Sequence, residues 1–261
     1  VQAVFVTHLH GDHVFGLPGL LSTMSLLQRA DPMVVAGPVG LREILESMPG
    51  LRPGETSYEI QYLELAEEDR RILVRETDTY RVWARSVDHG VPAYGYRYQE
   101  HAKPGNLDVE TARTLGVTDY RDFRRLKAGH SVALPGERTV HAEDVVGPAT
   151  PGGVFAYVGD TRPCQAVLDL AKDADILYHE ATFAADLGER AAETGHSTTL
   201  DAARMARDAS ARRLLLSHFS ARYRDVVSMV EEARSVFGHA EEAVELQTYD
   251  LQPAVSEPEG L

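Results

Sequence analysis

A chain of 261 residues, 43% hydrophobic and 25% charged, can bury a substantial core and is neither fibrous nor globally disordered. Its single cysteine, Cys164, excludes an intramolecular disulfide framework and a multi-cysteine zinc site, and no apolar run approaches the ~20 residues that cross a bilayer. With 40 acidic residues against 26 basic ones the formal charge is −14, which opposes polyanions wherever basic residues are not concentrated locally.

Only Lys103, Lys127 and Lys172 are lysines, so 23 of the basic residues are arginine, a balance that salt adaptation and high-GC coding both produce. No signal peptide is visible, so a cytoplasmic location is the expectation.

The chain opens on Val-Gln-Ala-Val-Phe-Val-Thr, which predicts a buried strand already in progress and therefore an amino-terminally incomplete domain. His8 to Gly19, rich in Gly, Pro and His, is expected to be a loop, followed by a helix over Leu20 to Gln28. A strand at Met33 to Ala36 and a helix at Val39 to Met48 come next, then strands including Arg71 to Val74, Tyr80 to Val87 and Tyr94 to Tyr98. His101 to Thr150 carries seven basic and seven acidic residues, so the whole negative excess lies elsewhere.

From Val154 onward strands and helices alternate. Strands are predicted at Val154 to Val158, Ile176 to Tyr178, Arg213 to Leu216 and Val244 to Thr248, and helices at Pro163 to Lys172, Thr199 to Ser210 and Asp225 to Phe237. Such alternation predicts sheets covered by helices on their outer faces. The expected division is a core over 1–100 and 151–250, an inserted arm over 101–150 and a flexible tail over 251–261.

His8-Leu9-His10-Gly11-Asp12-His13 places three imidazoles and a carboxylate in six residues just past an apolar strand. Imidazole and carboxylate suit Zn²⁺ and similar divalent ions, and Gly11 would let the backbone turn between the two ligand pairs. A solvated histidine-rich loop or a tag remnant is the bland alternative, but a tag lacks the interleaved Gly-Asp. Val87-Asp88-His89-Gly90, Val158-Gly159-Asp160-Thr161 and Leu216-Ser217-His218-Phe219 add a histidine or carboxylate at three more strand ends. Each taken singly reads as a cap or a turn residue.

The first motif resembles the His-x-His-x-Asp-His signature of the metallo-β-lactamase superfamily, which implies an α/β four-layer αββα sandwich. The likeness narrows to the ribonuclease Z family of tRNA 3′-processing endonucleases. It is carried by Gly159-Asp160-Thr161-Arg162-Pro163, His179-Glu180-Ala181-Thr182-Phe183, Gly195-His196-Ser197-Thr198-Thr199 and His218-Phe219-Ser220-Ala221-Arg222-Tyr223. Members carry an additional amino-terminal segment that this sequence does not contain, and Gly116 to Phe123 lacks the Pro-Pro-Gly-Pro often found in the arm.

The resemblance implies two Zn²⁺ per chain, with manganese or iron accepted by the same donors. His8, His10 and His89 would hold the first ion, Asp12, His13 and His218 the second, and Asp160 would be shared. It further implies that Asp12 handles the attacking water and that His196, oriented by Glu180, protonates the leaving 3′ oxygen. Precursor tRNA is the implied partner, met by an arm whose Arg121, Arg124, Arg125 and Lys127 would bind RNA, in a homodimer without membrane or organic cofactor.

Blander alternatives stand beside these roles. Glu180 could cap a strand, His196 with Ser197 could be a helix N-cap, and the basic cluster could be a solvated helix face. Tyr94 and Tyr96 could stack on a base or pack in the core. A same-fold hydrolase of small esters and an inactive tRNA-binding fragment are the competing functions.

Overall fold

The computed structural model describes residues 1–66 and 70–251, and the described residues form two compact units, 1–99 with 154–251 and 100–153. The first unit runs β1 (Ala3–Phe5), α1 (Gly11–Val14), α2 (Gly16–Leu26), β2 (Met33–Pro38), α3 (Leu41–Ser47), β3 (Ile60–Leu65), β4 (Ile72–Glu76), β5 (Tyr80–Val87) and β6 (Ala93–Glu100). The inserted unit holds α4 (Val109–Thr114), α5 (Tyr120–Lys127), the hairpin β7 (Val132–Leu134) and β8 (Arg138–Val140), and α6 (Ala142–Val145). The chain then continues through β9 (Val154–Val158), α7 (Gln165–Ala171), β10 (Ile176–Glu180), α8 (Gly188–Thr194), α9 (Thr199–Asp208), β11 (Leu214–Ser217), α10 (Val227–Arg234) and β12 (Ala240–Glu242).

Within the first unit, β1, β2 and β3 form a parallel three-stranded sheet in that order. A seven-stranded sheet runs β12-β11-β10-β9-β6-β5-β4, parallel from β9 to β12 and antiparallel where β6 meets β9. Leu214-Leu215-Leu216 and Ile176-Leu177 are near-continuous apolar runs because parallel strands are buried on both faces. Alanine-rich helices close one face, with Ala202, Ala203 and Ala206 of α9 and Val167 and Leu170 of α7 packed on Leu177, Leu214 and Leu216.

Leu21, Leu41 and Leu45 close the outer face of the small sheet against Met33 and Val35. Between the sheets lie Phe5 and Leu65 on one side and Val82, Ala84, Tyr94 and Tyr96 on the other. The order helix, sheet, sheet, helix is the αββα arrangement.

The inserted unit has a core of its own, Ala112, Val117, Leu126, Val132, Val140 and Val145. Among the described residues no helix is long and apolar enough to cross a membrane.

Three sequence expectations change, and one open alternative is decided. His8 to Gly19 is not a loop throughout, since α1 and the first turn of α2 occupy it. Pro18 is tolerated there because the N–H groups of a first helical turn have no intrahelical acceptor. The opening strand is not buried, because β1 is a half-buried edge of its sheet.

The last strand is Ala240–Glu242 rather than Val244 to Thr248. There Leu246 takes φ 63° and Tyr249 folds back to accept from the Val244 N–H at 2.8 Å, which breaks the extended run. Tyr94 and Tyr96 are buried and donate to the carbonyls of Leu65 and Val6, so they pack rather than offer faces to bases. The expected tail beyond Leu251 lies outside the described residues.

Candidate metal centre

Strand ends supply the site. β1 runs into Thr7 and His8, β5 into His89, β9 into Asp160, β10 ends on Glu180 and β11 runs into His218. Ligand sites of open α/β sheets gather outside the carboxyl ends of the strands for this reason: rigid strands deliver side chains to one edge. His10 is the N-cap of α1, so a single helical turn places Asp12 and His13 beside it. Gly11 does not serve as a left-handed turn. Its hydrogen faces the Phe15 ring, which any Cβ at this position would meet at 2.4 Å.

One ligand atom from each of His8, His10, His89 and Asp160 lies within 4.8 Å of the others, as do those of Asp12, His13 and His218. Asp160, almost fully buried, joins the groups: its Oδ2 is 3.7 Å from His8 Nε2 and 3.6 Å from His13 Nε2, and its Oδ1 is 3.4 Å from His218 Nε2. His196 also lies within reach of Asp160 and His218. All seven residues expected to hold metal are thus brought together, and His196, which the family resemblance placed at the leaving oxygen, stands beside them.

The donor chemistry fits cations. His89 Nδ1 donates to the Gly195 carbonyl at 2.7 Å, which leaves its Nε2 as a bare lone pair, and that atom has no hydrogen-bond partner. Asp160 Oδ1 is equally buried and equally without one. Acceptors facing acceptors at such distances repel unless positive charge lies between them. Burial, then the neighbouring His13, His89 and His10, push His8 down to about 3, so it is a neutral imidazole with its lone pair available. Asp12 is exposed and lies below the usual carboxylate range: burial acts the other way but is outweighed by a backbone hydrogen bond and by His13 and His218.

Behind this cluster sits a polar network. Glu180, fully buried, accepts four hydrogen bonds: from the Thr161 N–H (3.1 Å) and His196 Nδ1 (2.9 Å) on Oε1, and from the Thr182 N–H (2.9 Å) and hydroxyl (2.7 Å) on Oε2. Burial alone would raise its pKa, but the bonds from His196 and Thr182 hold it lowered. His196 is shifted the other way: burial disfavours its charged form, yet the hydrogen bond and charge of Glu180, with Asp160 adding, raise it above an ordinary histidine.

His196 is not the cap of the helix that follows. Thr198 is, in a capping box with Asp201, so the imidazole is left free of that duty. Glu180 meets the Thr182 N–H just past its own strand, as a strand-end cap would, but its other carboxylate oxygen also takes the Thr161 N–H and His196 Nδ1, so it ties three loops together rather than capping alone.

Gly195 and Thr182 were not singled out in the sequence, and Ser197 was named there only as part of a helix N-cap. Gly195 holds φ 80°, and a Cβ there would meet His89 Nδ1 at 2.9 Å. The Ser197 hydroxyl donates to the Thr161 carbonyl at 2.7 Å, tying the 195–197 loop to the strand end that carries Asp160. Only partners far away in the chain give these residues meaning, although all three fall inside motifs visible in the sequence. Arg121, Arg124, Arg125 and Lys127 are exposed on α5 of the inserted unit.

Two sheets between helices, with a histidine and aspartate cluster at the strand ends, define a member of the metallo-β-lactamase superfamily. The profile of the β-lactamase superfamily domain matches residues 97–219. The chain is 50% identical to "Ribonuclease Z" of Salinibacter ruber over 260 residues, 99% of this chain and 81% of that protein. It is 41% identical to "Ribonuclease Z" of Bacillus licheniformis over 254 residues, 97% of this chain and 81% of that one. Human tRNase Z, short form, superposes with a TM-score of 0.58 at 28% identity, covering 86% of this chain and 74% of that chain. The chain belongs to the ribonuclease Z family.

Proposed function

We propose that the chain is a metal-dependent endoribonuclease that removes the 3′ trailer from precursor tRNA. The observation that carries this reading is the His196–Glu180 pair, held at 2.9 Å beside the ligand cluster, in a chain that shares half its residues with a ribonuclease Z. His8, His10 and His89 would hold one zinc ion, and Asp12, His13 and His218 a second, with Asp160 reaching both. When bound, the ions supply Lewis-acid polarisation of the phosphodiester and acidify a water at neutral pH.

The chain's own groups do the rest. The ionised Asp12 carboxylate, exposed at the mouth, orients the attacking water and takes a hydrogen bond from it. His196, with Nδ1–H committed to Glu180, presents Nε2–H to the leaving 3′ oxygen. Its raised pKa keeps it charged enough to donate near neutrality. Water adds to phosphorus and the bond to the 3′ oxygen breaks, so the tRNA leaves with a 3′-hydroxyl and the trailer with a 5′-phosphate.

RNA contact in so acidic a protein falls to the electrically balanced inserted segment. Arg121, Arg124, Arg125 and Lys127 would meet phosphates there, because local rather than net charge governs such contacts. A homodimer is part of the proposal, and sedimentation of the purified protein checks it.

The function is tested by cleavage of a precursor tRNA beside elemental analysis of the protein. About two zinc ions per chain, with cleavage at the trailer junction and loss of both in Asp160→Ala, is the expected result. Metal-loaded protein that hydrolyses a small phosphodiester but leaves precursor tRNA intact would make it a hydrolase of small esters instead. Removing residues 104–145 should abolish tRNA cleavage and spare the small substrate.

A further inference from the structure

Thr182 lies two residues past β10, and its side-chain oxygen meets three groups at once. It is 2.7 Å from Glu180 Oε2, 2.9 Å from His218 Nδ1 and 3.2 Å from His196 Nδ1. A threonine hydroxyl has one proton to give and lone pairs that accept, so the direction of each bond can be worked out.

The 2.7 Å contact joins a hydroxyl to a carboxylate, and that carboxylate carries no proton, because a backbone N–H already donates to each of its oxygens and His196 Nδ1 adds a third donor. The proton in that contact is therefore Thr182's own. His196 Nδ1 spends its proton on Glu180 Oε1, at the shorter of its two distances. What remains on Thr182 is a lone pair 2.9 Å from His218 Nδ1, and a favourable contact there requires that nitrogen to carry hydrogen. In the neutral ring that tautomer leaves His218 Nε2 as a bare lone pair, 3.4 Å from Asp160 Oδ1.

We propose that Thr182 is a positioning residue whose hydroxyl sets the tautomer of His218 and so presents His218 Nε2 to the cation site. This rests on the metal-centre assignment made above. The order of donors runs His218 Nδ1–H to Thr182 Oγ1–H to Glu180, with His196 Nδ1–H arriving from the other side. Glu180 thereby orients two histidines, His196 directly and His218 through one hydroxyl.

The opposite tautomer would point an N–H at Asp160 and close the site to a cation at that corner. A neutral imidazole chooses freely between its tautomers in water, so this device matters most at His218, which is about a third exposed and takes φ 56° at the end of β11. His89 has the equivalent support from the Gly195 carbonyl, and His8 Nδ1 lies 3.1 Å from the Thr7 hydroxyl. Partners of this kind on the far nitrogen of a metal-binding histidine are worth about 10–100-fold in metal affinity.

The experiment pairs metal-binding isotherms, read by competition with a chromophoric chelator, with long-range ¹H–¹⁵N spectra of the histidine rings in the protein before and after metal loading. Wild type should bind two ions and show His218 protonated at Nδ1. Thr182→Ser keeps the hydroxyl and should match it. Thr182→Val should lose about 10–100-fold in affinity for one ion and leave the other unchanged.

Wild-type affinity for both ions in Thr182→Val, or His218 protonated at Nε2 in wild type, overturns the proposal. Should Thr182→Val fail to fold, the wild-type spectrum and Thr182→Ser decide the matter alone. A wild-type chain that binds no ion defeats the metal-centre assignment itself, an outcome distinct from an unaltered Thr182→Val.

Discussion

The two units of this chain use charged side chains in opposite ways. In the first, Glu180, Asp160 and His8 are buried and their positions are dictated by several partners each, so charge there is held in a fixed geometry. In the second, Arg121, Arg124, Arg125 and Lys127 stand exposed on one short helix whose core contribution is Leu126. Buried networks specify positions to fractions of an ångström and lose much when a single member goes. Exposed cations act through a field, are individually worth little and are screened by salt. Chemistry is expected of the first arrangement and adhesion of the second.

The sharpest way to break that contrast is to remove a member of the network. His196→Ala should lower kcat for precursor tRNA by about 10²–10⁴-fold with metal content unchanged, the usual worth of a positioned acid. A loss below tenfold would leave the His196–Glu180 pair without its catalytic role. Glu180→Gln sharpens the same point through pH. Glu180 raises His196 by hydrogen bond and charge against the effect of burial, so neutralising it should drop the His196 pKa. The limb along which kcat falls with rising pH should then move to lower pH, whereas an unmoved limb would mean that another group donates the proton.

A smaller effect is expected one residue earlier in the same loop. Gly195→Ala puts a Cβ 2.9 Å from His89 Nδ1 at φ 80°, displacing both the carbonyl that orients His89 and the His89 ring. One ion should bind about 10–100-fold more weakly, as chelator competition would report, with the second ion unaffected. Equal weakening of both ions would mean that the loop supports the whole site and not His89 alone.

How much of this was readable in the chain follows the same division between local and distant partners. His8 to His13 declared itself because one loop holds four donors in six residues. His89, Asp160 and His218 are silent one at a time and became legible only as a set in the order of a known family. The β9–β11 strands and the helices between them were visible because apolar runs and helical stretches alternate.

What escaped was whatever depends on partners in space. Thr182 is an ordinary residue in sequence, and only the meeting of Glu180, His196 and His218 at its oxygen gives it a role. The run over Val244 to Thr248 alternates like a strand, and nothing local announces that Tyr249 would turn back to the Val244 N–H. Pro18 and three glycines suggested a loop where α1 and α2 form, because breaker residues carry little penalty in a first helical turn.

The inserted unit offers the gentlest test. Lys127 is exposed at the carboxyl end of α5 and contributes no buried surface, so Lys127→Ala should leave stability within about 0.5 kcal/mol of wild type. If Lys127 meets a phosphate, the slope of log affinity for precursor tRNA against log salt should fall by about one. Turnover of a small phosphodiester should not change. Leu126 is the control on the same helix: it is fully buried, and Leu126→Ala should destabilise the inserted unit by about 2–5 kcal/mol. An unaltered salt slope in Lys127→Ala, alongside a lowered one in Arg124→Ala, would narrow the contact to one face of the helix. If every single cation on α5 left the slope untouched, the basic cluster would be a solvated face and RNA adhesion would have to be sought elsewhere.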